Sequence, residues 1–182
     1  MPLMSILTCN DLEKEVSGIL ASDDMIDNLF VIGAPNPSAM TEDLEKLGLK
    51  AQFIFPETIP SGLKKRKGFN VLVAFQDTFS SDISERMKKE LYERIKFYGL
   101  VSNGVLMFHG SCGEIFDKII KDFRKSKFLL EMLSSDDITI MSSENECFPE
   151  IDSKGLQDQG NVDKYADCYN KLKQRILSQS AD

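Results

Sequence analysis

Apolar runs and amphipathic segments alternate along this chain. Four short apolar runs, at residues 3–8, 29–32, 70–75 and 104–108, have the length and the continuous hydrophobicity of buried strands. The segment after each run carries apolar residues three or four positions apart, a spacing that is typical of helices with one buried face. The pattern therefore predicts strand-helix units joined in series.

The predicted order of elements indicates a fold class. Parallel strands must be joined by crossovers, and these crossovers place helices on both faces of the sheet. We therefore expect an α/β fold of three layers, with an open, mostly parallel sheet between helices, of Rossmann-like or flavodoxin-like type. Residues 1–160 are expected to form a single α/β domain, and residues 161–182 a C-terminal amphipathic helix packed on it. In such sheets ligands bind at the carboxyl ends of the strands.

Several segments have weaker patterns. Residues 51–55 and 138–141 are predicted as short strands, and residues 128–133 as a short helix. Residues 56–68 contain prolines and glycines without an apolar period, which indicates a loop. Residues 142–160 are polar and poor in aliphatic side chains, which predicts an irregular crossing that becomes ordered when metal or ligand binds.

Two helix starts have candidate capping residues. Asn10 stands before the first helix and Glu13 follows three residues later, as in a capping box. Thr41 is expected to cap a short helix that runs through Leu47 and ends before Gly48.

Composition and charge exclude several function classes. The 182 residues include 42% apolar and 28% charged side chains, which fits a globular domain rather than a disordered chain. The net charge of −7 opposes binding to a phosphate backbone, so nucleic acid is not an expected partner. No apolar run approaches the roughly 18–20 residues of a membrane span, and the N-terminus lacks the features of a signal peptide. We therefore expect a cytoplasmic protein without membrane association.

Three of the four cysteines follow predicted strand ends. Cys9 ends the first strand, Cys112 follows the fourth by a few residues, and Cys147 comes after the last strand. Because the carboxyl ends of parallel strands share one edge, these thiols are expected to meet there. Cys168 lies beside the apolar face of the C-terminal helix and is expected to pack in the core. The alternative is that each thiol is a small, semi-buried apolar side chain.

The densest local signal is the turn from His109 to Gly113, between a predicted strand and a predicted helix. Gly110, Ser111 and Gly113 are small enough to let a ligand approach the helix N-terminus, so they are candidate cofactor-binding residues. The helix dipole there would lower the pKa of Cys112 and favour its thiolate. Cys112 as nucleophile with His109 as its base is therefore one catalytic hypothesis.

A metal site is the hypothesis that fits three thiols best. Thiolates of Cys9, Cys112 and Cys147, with His109, an acidic side chain or water as a fourth ligand, would suit zinc or another thiophilic metal. His109 is the only histidine, so a site that needs two histidines from one chain is excluded.

The motifs around these thiols resemble an uncharacterised cysteine-bearing α/β family of methanogens and other anaerobes. The matching segments are Thr8-Cys9-Asn10, the turn from His109 to Gly113, and Asn145-Glu146-Cys147. Asn145 stands where that family has a histidine. The resemblance implies a function near corrinoid-dependent methyl transfer, with a corrinoid as the associated cofactor.

Three functions remain open. The first is a metal- or thiol-dependent protein of one-carbon metabolism that acts on a small molecule. The second is a non-catalytic accessory module whose C-terminal helix, or whose basic loop at residues 64–67, docks an acidic partner protein. The third is a cysteine-nucleophile enzyme that uses Cys112 and His109. The sequence leaves both a monomer and a homo-oligomer open.

Overall fold

A computed structural model shows a seven-stranded sheet with helices on both faces, which confirms the expected α/β fold. The structure describes residues 2–34, 36–46, 48–55, 59, 63, 67–76, 85–109, 113–134, 140–142 and 160–180. Within these residues, no helix is both long enough and apolar enough to cross a membrane.

The elements follow one another as the apolar pattern predicts, with one exception described below. In chain order they are β1 (Leu3–Cys9), a 3-10 turn (Asn10–Leu12), α1 (Glu13–Ala21), β2 (Ile26–Ile32), α2 (Pro37–Lys46), β3 (Ala51–Phe53), β4 (Phe69–Gln76), α3 (Glu85–Val101), β5 (Gly104–His109), α4 (Gly113–Phe123), β6 (Leu129–Ser134), β7 (Ile140–Ser142) and α5 (Gly160–Gln179).

The strand order in the sheet is β3-β2-β4-β1-β5-β6-β7. The first six strands are parallel, and β7 pairs antiparallel with β6. β1 lies at the centre, between β4 and β5, and each of its residues is buried. The register places Cys9, the last residue of β1, beside Gln76, the last residue of β4.

The side chains of the sheet alternate between two cores. On one face Met4, Ile6 and Phe108 pack under α1, α2 and α5. On the other face Leu3 and Leu7 pack under α3 and α4. The crossovers α1 and α2 therefore lie on one face of the sheet, and α3 and α4 on the other. A crevice opens at the carboxyl edge where neighbouring strands lead to helices on opposite faces, as β2 and β4 do.

The predicted helix at residues 128–133 is wrong, because this segment is the parallel strand β6. It pairs with β5 along its full length, from Gly104 opposite Leu129 to His109 opposite Ser134. Glu131 interrupts the apolar run as a surface residue of a helix would, but it is fully buried. Arg175 of α5 neutralises it with an Nη1 to Oε1 contact of 2.7 Å. The strand was predicted as a helix because its buried glutamate, paired with a distant arginine, resembles a surface residue in the sequence.

Both predicted N-caps are wrong. Neither the 3-10 turn nor α1 has a side-chain cap, and Glu13 instead accepts a hydrogen bond from the backbone of Asn36. α2 begins before Thr41, with Asn36 Oδ1 accepting from the backbone N–H of Ala39 at 3.2 Å. Thr41 lies inside that helix, where its hydroxyl donates to the Pro37 carbonyl.

The predicted end of α2 is confirmed. Gly48 has a φ of +82°, the left-handed conformation that glycine adopts without strain. Its N–H bonds the carbonyl of Glu45, and the N–H of Leu49 bonds the carbonyl of Leu44. This pair of hydrogen bonds forms the Schellman motif, which ends the helix and turns the chain toward β3.

α5 packs on the face that carries α1, as its amphipathic pattern predicts. Its apolar stripe, formed by Tyr165, Cys168, Tyr169, Leu172 and Ile176, is buried against β5 and β6. Cys168 is 1% exposed, so its expected packing role is confirmed.

One polar contact fixes α5 to the end of α1. The Tyr169 hydroxyl donates to Asp23 at 2.5 Å, and Lys173 Nζ lies 3.0 Å from the same carboxylate. Asp23 is 5% exposed, and the backbone N–H of Met25 donates to its Oδ1 at 3.0 Å, so this carboxylate depends on three partners for stabilisation. We expect Tyr169→Phe to lower the free energy of unfolding by about 1.5–3 kcal/mol, the range for a hydrogen bond to a charged group.

Urea unfolding of Tyr169→Phe measures this loss, with Tyr92→Phe as the matched control. The Tyr92 hydroxyl also bonds a carboxylate, Asp122, but at an exposed site where solvent can replace the bond. An equal loss in the two variants would contradict the role assigned to the buried contact.

Candidate binding site at the carboxyl edge of the sheet

The structure places part of the predicted thiol site. Cys9 ends β1 at the carboxyl edge and is 1% exposed. His109 ends the neighbouring strand β5, and Gly113 begins α4 at the same edge. Cys112, with the adjacent Gly110 and Ser111, lies outside the described residues, as does Cys147.

The direction of β7 corrects one premise of the three-thiol site. Ile140 pairs with Leu133 and Ser142 with Glu131, so the chain runs along β7 away from the carboxyl edge. The expectation that the last strand ends at the same edge as β1 and β5 is therefore wrong. Cys147 follows this strand, and its place in a shared site stays a prediction.

The described ranges contain no group of three or more His, Cys, Asp or Glu side chains placed to hold a metal ion. That finding concerns Cys9 and its described neighbours only, since Cys112 and Cys147 fall outside the ranges. A metal centre formed by the three thiols stays a prediction.

The described surroundings of Cys9 are buried and carry negative charge. Burial, and then the charges of Cys9 and Glu15, raise the pKa of Tyr165 to about 12. The Tyr165 ring packs edge-on against Phe108, with 4.9 Å between ring centroids. Within the described part of the chain, Glu15 Oε2 is buried without a hydrogen-bond partner. The described surroundings of Cys9 are therefore closed to solvent and do not form an open cleft.

Burial makes Cys9 and Cys168 unreactive in the folded protein. Each is 1% exposed, and burial together with the charge of Glu131 raises the pKa of Cys168 well above its ordinary value. We expect iodoacetamide to modify both at least about 100-fold more slowly than in urea-unfolded protein, because modification requires local opening. Mass spectrometry of tryptic peptides measures both rates. Labelling of folded Cys9 as fast as in urea would contradict its placement.

An open cavity of about 730 Å³ lies at the carboxyl ends of β2, β3 and β4, beside α3. Its volume is within the roughly 300–1,000 Å³ range of small-molecule sites. The residues that line it are mostly apolar: Val31, Ile32, Gly33, Ala34, Pro37, Phe53, Ile54, Phe55, Phe75, Glu90, Glu93, Arg94, Phe97 and Tyr98. None of them is among the predicted site residues.

The turn after β2 forms one wall of this cavity. Gly33 has a φ of +66°, and a Cβ at this position would lie 3.2 Å from the Phe75 carbonyl oxygen. Glycine therefore lets the chain leave β2 sharply while it stays close to β4. Pro37 then begins α2 at the same wall.

Aromatic side chains give the cavity its apolar character. Phe97 and Tyr98 of α3 pack edge-on, with 5.2 Å between their ring centroids. Phe53, Phe55 and Phe97 remain 38%, 74% and 43% exposed, although large apolar side chains are usually buried. The cavity and these rings form a continuous apolar surface at the sheet edge.

Three charged side chains of α3 complete the lining. Glu90 pairs with Arg86 at 3.0 Å and Glu93 with Lys89 at 3.8 Å, both one helical turn apart. Arg94 Nη1 donates to Gln76 Oε1 at 3.2 Å. The arginine is thus held by a neutral amide at the end of β4.

Comparison with known proteins identifies no relative for this site. No protein-family model matches the chain, and a search of curated proteins finds no significant match. The resemblance to the anaerobe family stays a prediction. The assignment of a site therefore rests on the cavity and its chemistry.

Proposed function

We propose that this protein binds a small organic molecule with an apolar or aromatic body in the carboxyl-edge cavity. The observation that carries the proposal is the position of a cavity of about 730 Å³ at the ends of three parallel strands. Open α/β sheets bind their ligands at this edge, where neighbouring strands lead to helices on opposite faces.

The exposed rings give a physical reason for binding. Removing apolar surface from water stabilises a complex by roughly 25 cal/mol per Å². Phe53, Phe55 and Phe97 offer such surface around a preformed cavity, and Ile54 and Phe75 line it. An aromatic ligand would cover these side chains while stacking or packing edge-on against their rings.

Fluorescence titration with N-phenyl-1-naphthylamine, a neutral probe, tests the proposal. Its emission should rise on saturable binding to the wild-type protein. Ala34→Trp and Ile54→Trp each place a large ring at the cavity and should weaken binding at least about tenfold, because they occupy ligand volume. Ser178→Trp, at an exposed position of α5, is the matched control and should bind as the wild type does.

Circular dichroism establishes that each variant is folded before its titration is compared. Undiminished binding by both folded cavity variants would overturn the proposed site. Equal weakening by Ser178→Trp would show that the probe binds elsewhere, and it would overturn the proposal as well.

A thiol- or metal-dependent role in one-carbon metabolism is a second candidate. The supporting observation is that β1 and β5 are neighbours, so Cys9 lies beside the strand that leads to Cys112. Elemental analysis of anaerobically purified protein should find stoichiometric zinc or another thiophilic metal, reduced in Cys112→Ser but not in Cys168→Ser. Metal-free protein, or equal metal content in both variants, would remove the metal-dependent form of this candidate.

A further inference from the structure

The charged end of the cavity indicates which class of molecule it takes. Arg94 lines the cavity and donates to Gln76, which is 5% exposed. This bond orients the Gln76 amide, because only its oxygen can accept from a guanidinium. The amide nitrogen Nε2 then remains buried, and it has no hydrogen-bond partner within the described residues.

The positive charge of Arg94 extends into the cavity. Burial raises the pKa of Tyr98, and the charge of Arg94 acts in the opposite direction on the same hydroxyl. Tyr98 lines the cavity, so the guanidinium acts on groups that face the ligand space. An anionic ligand group placed there would gain from the same charge.

The two carboxylates that line the cavity attract a cationic ligand less strongly than Arg94 attracts an anionic one. Glu90 and Glu93 each lie within 4 Å of a basic side chain of the preceding helical turn. Their charges are thus partly offset within α3, whereas the described hydrogen-bond partner of Arg94 is the neutral Gln76.

We propose that Arg94, held in place by Gln76, binds the carboxylate of an aromatic or alkyl carboxylic acid whose apolar body fills the cavity. In this arrangement the guanidinium donates to the carboxylate oxygens, while Gln76 Oε1 positions it at the end of β4. The inference rests on the proposed ligand-binding function and adds the charge of the ligand to it.

Calorimetric titration with three ligands of one shape tests the charge preference. The ligands are 2-naphthoate, the neutral 2-naphthamide and the cationic 2-naphthylmethylamine. The wild-type protein should bind 2-naphthoate about 10- to 100-fold more tightly than 2-naphthamide, the range for a charge-assisted hydrogen bond. Arg94→Gln should remove this preference, because the affinity for 2-naphthoate should fall much further than the affinity for 2-naphthamide. Gln76→Leu should reduce the preference in part.

Arg86→Gln is the matched control, because this arginine lies on the same helix with its side chain 87% exposed. It should retain the wild-type preference. Equal affinity for the acid and the amide, or a preference that survives in Arg94→Gln, would overturn the inference and leave the proposed function intact. Tighter binding of the amine would assign the site to a cation instead. Failure of all three ligands to bind would overturn both proposals.

Discussion

Arg175→Met should lower the free energy of unfolding by about 3–5 kcal/mol at neutral pH, the range for breaking one partner of a buried ion pair. The Glu131 side chain is 0% exposed, and Arg175 Nη1 lies 2.7 Å from its carboxylate. Without the arginine, a carboxylate in the core keeps its desolvation penalty and loses its closest positive charge. Urea unfolding measures the loss, and Arg86→Met, at an exposed pair, should change stability by less than about 1 kcal/mol.

The loss of stability in Arg175→Met should depend on pH, with a sign that the pKa of Glu131 determines. Burial raises the pKa of Glu131 above its ordinary value of 4.5, while the charge and hydrogen bond of Arg175 lower it. Arg175→Met removes both lowering influences, so the pKa rises further. Stability due to the protonated carboxyl is present below the unfolded pKa and is lost as pH rises through the folded one. The destabilisation should therefore be small near pH 4.5 and grow toward neutral pH.

A penalty independent of pH would contradict this assignment. The double variant Glu131→Leu with Arg175→Met separates charge from packing. Apolar residues of similar volume replace buried ion pairs at little or no cost, so the double variant should be more stable than Arg175→Met alone.

Phe108→Ala should have an effect of similar size, about 3–5 kcal/mol. Phe108 is 1% exposed on β5 and packs edge-on against Tyr165 of α5, so its removal leaves a cavity between sheet and helix. Phe55→Ala is the matched control, because that ring is 74% exposed. Phe55→Ala should lower the free energy of unfolding by less than about 1 kcal/mol. Comparable losses in the two variants, measured by urea unfolding, would contradict the assigned core.

Much of the fold could be predicted from local pattern because buried strands and amphipathic helices leave periodic signals. The four-residue spacing that includes Leu91 and Ile95 predicts α3, and the spacing of Tyr165 and Leu172 predicts α5. A helix with this spacing has one apolar face, and that face is buried wherever the helix packs on a sheet.

Strand β6 could not be predicted in this way, because its identity depends on a distant residue. Glu131 appears polar within its segment, and its burial is made tolerable by residues of the distant α5, chiefly Arg175. The antiparallel direction of β7 is also a tertiary property, set by pairing with β6 rather than by its three residues.

The cavity could not be predicted from the sequence for a related reason. Its walls come from segments as distant as Ile32, Ile54 and Arg94, and they meet only because β4 inserts between β2 and β1. Strand order leaves no periodic signal in a single sequence. Gly33 follows Ile32 in the sequence, but its close approach to the Phe75 carbonyl depends on the pairing of β2 with β4.

Titration of ¹⁵N-labelled protein with 2-naphthoate, followed by two-dimensional NMR, tests the central claim most directly. The account predicts saturable shifts that are largest for backbone amides at the carboxyl ends of β2 and β3 and along the cavity side of α3, including those of Gly33, Ile54 and Phe97. Amides of α5 should move little. Absence of shifts at the carboxyl edge, or shifts centred on α5, would contradict a ligand site in this cavity.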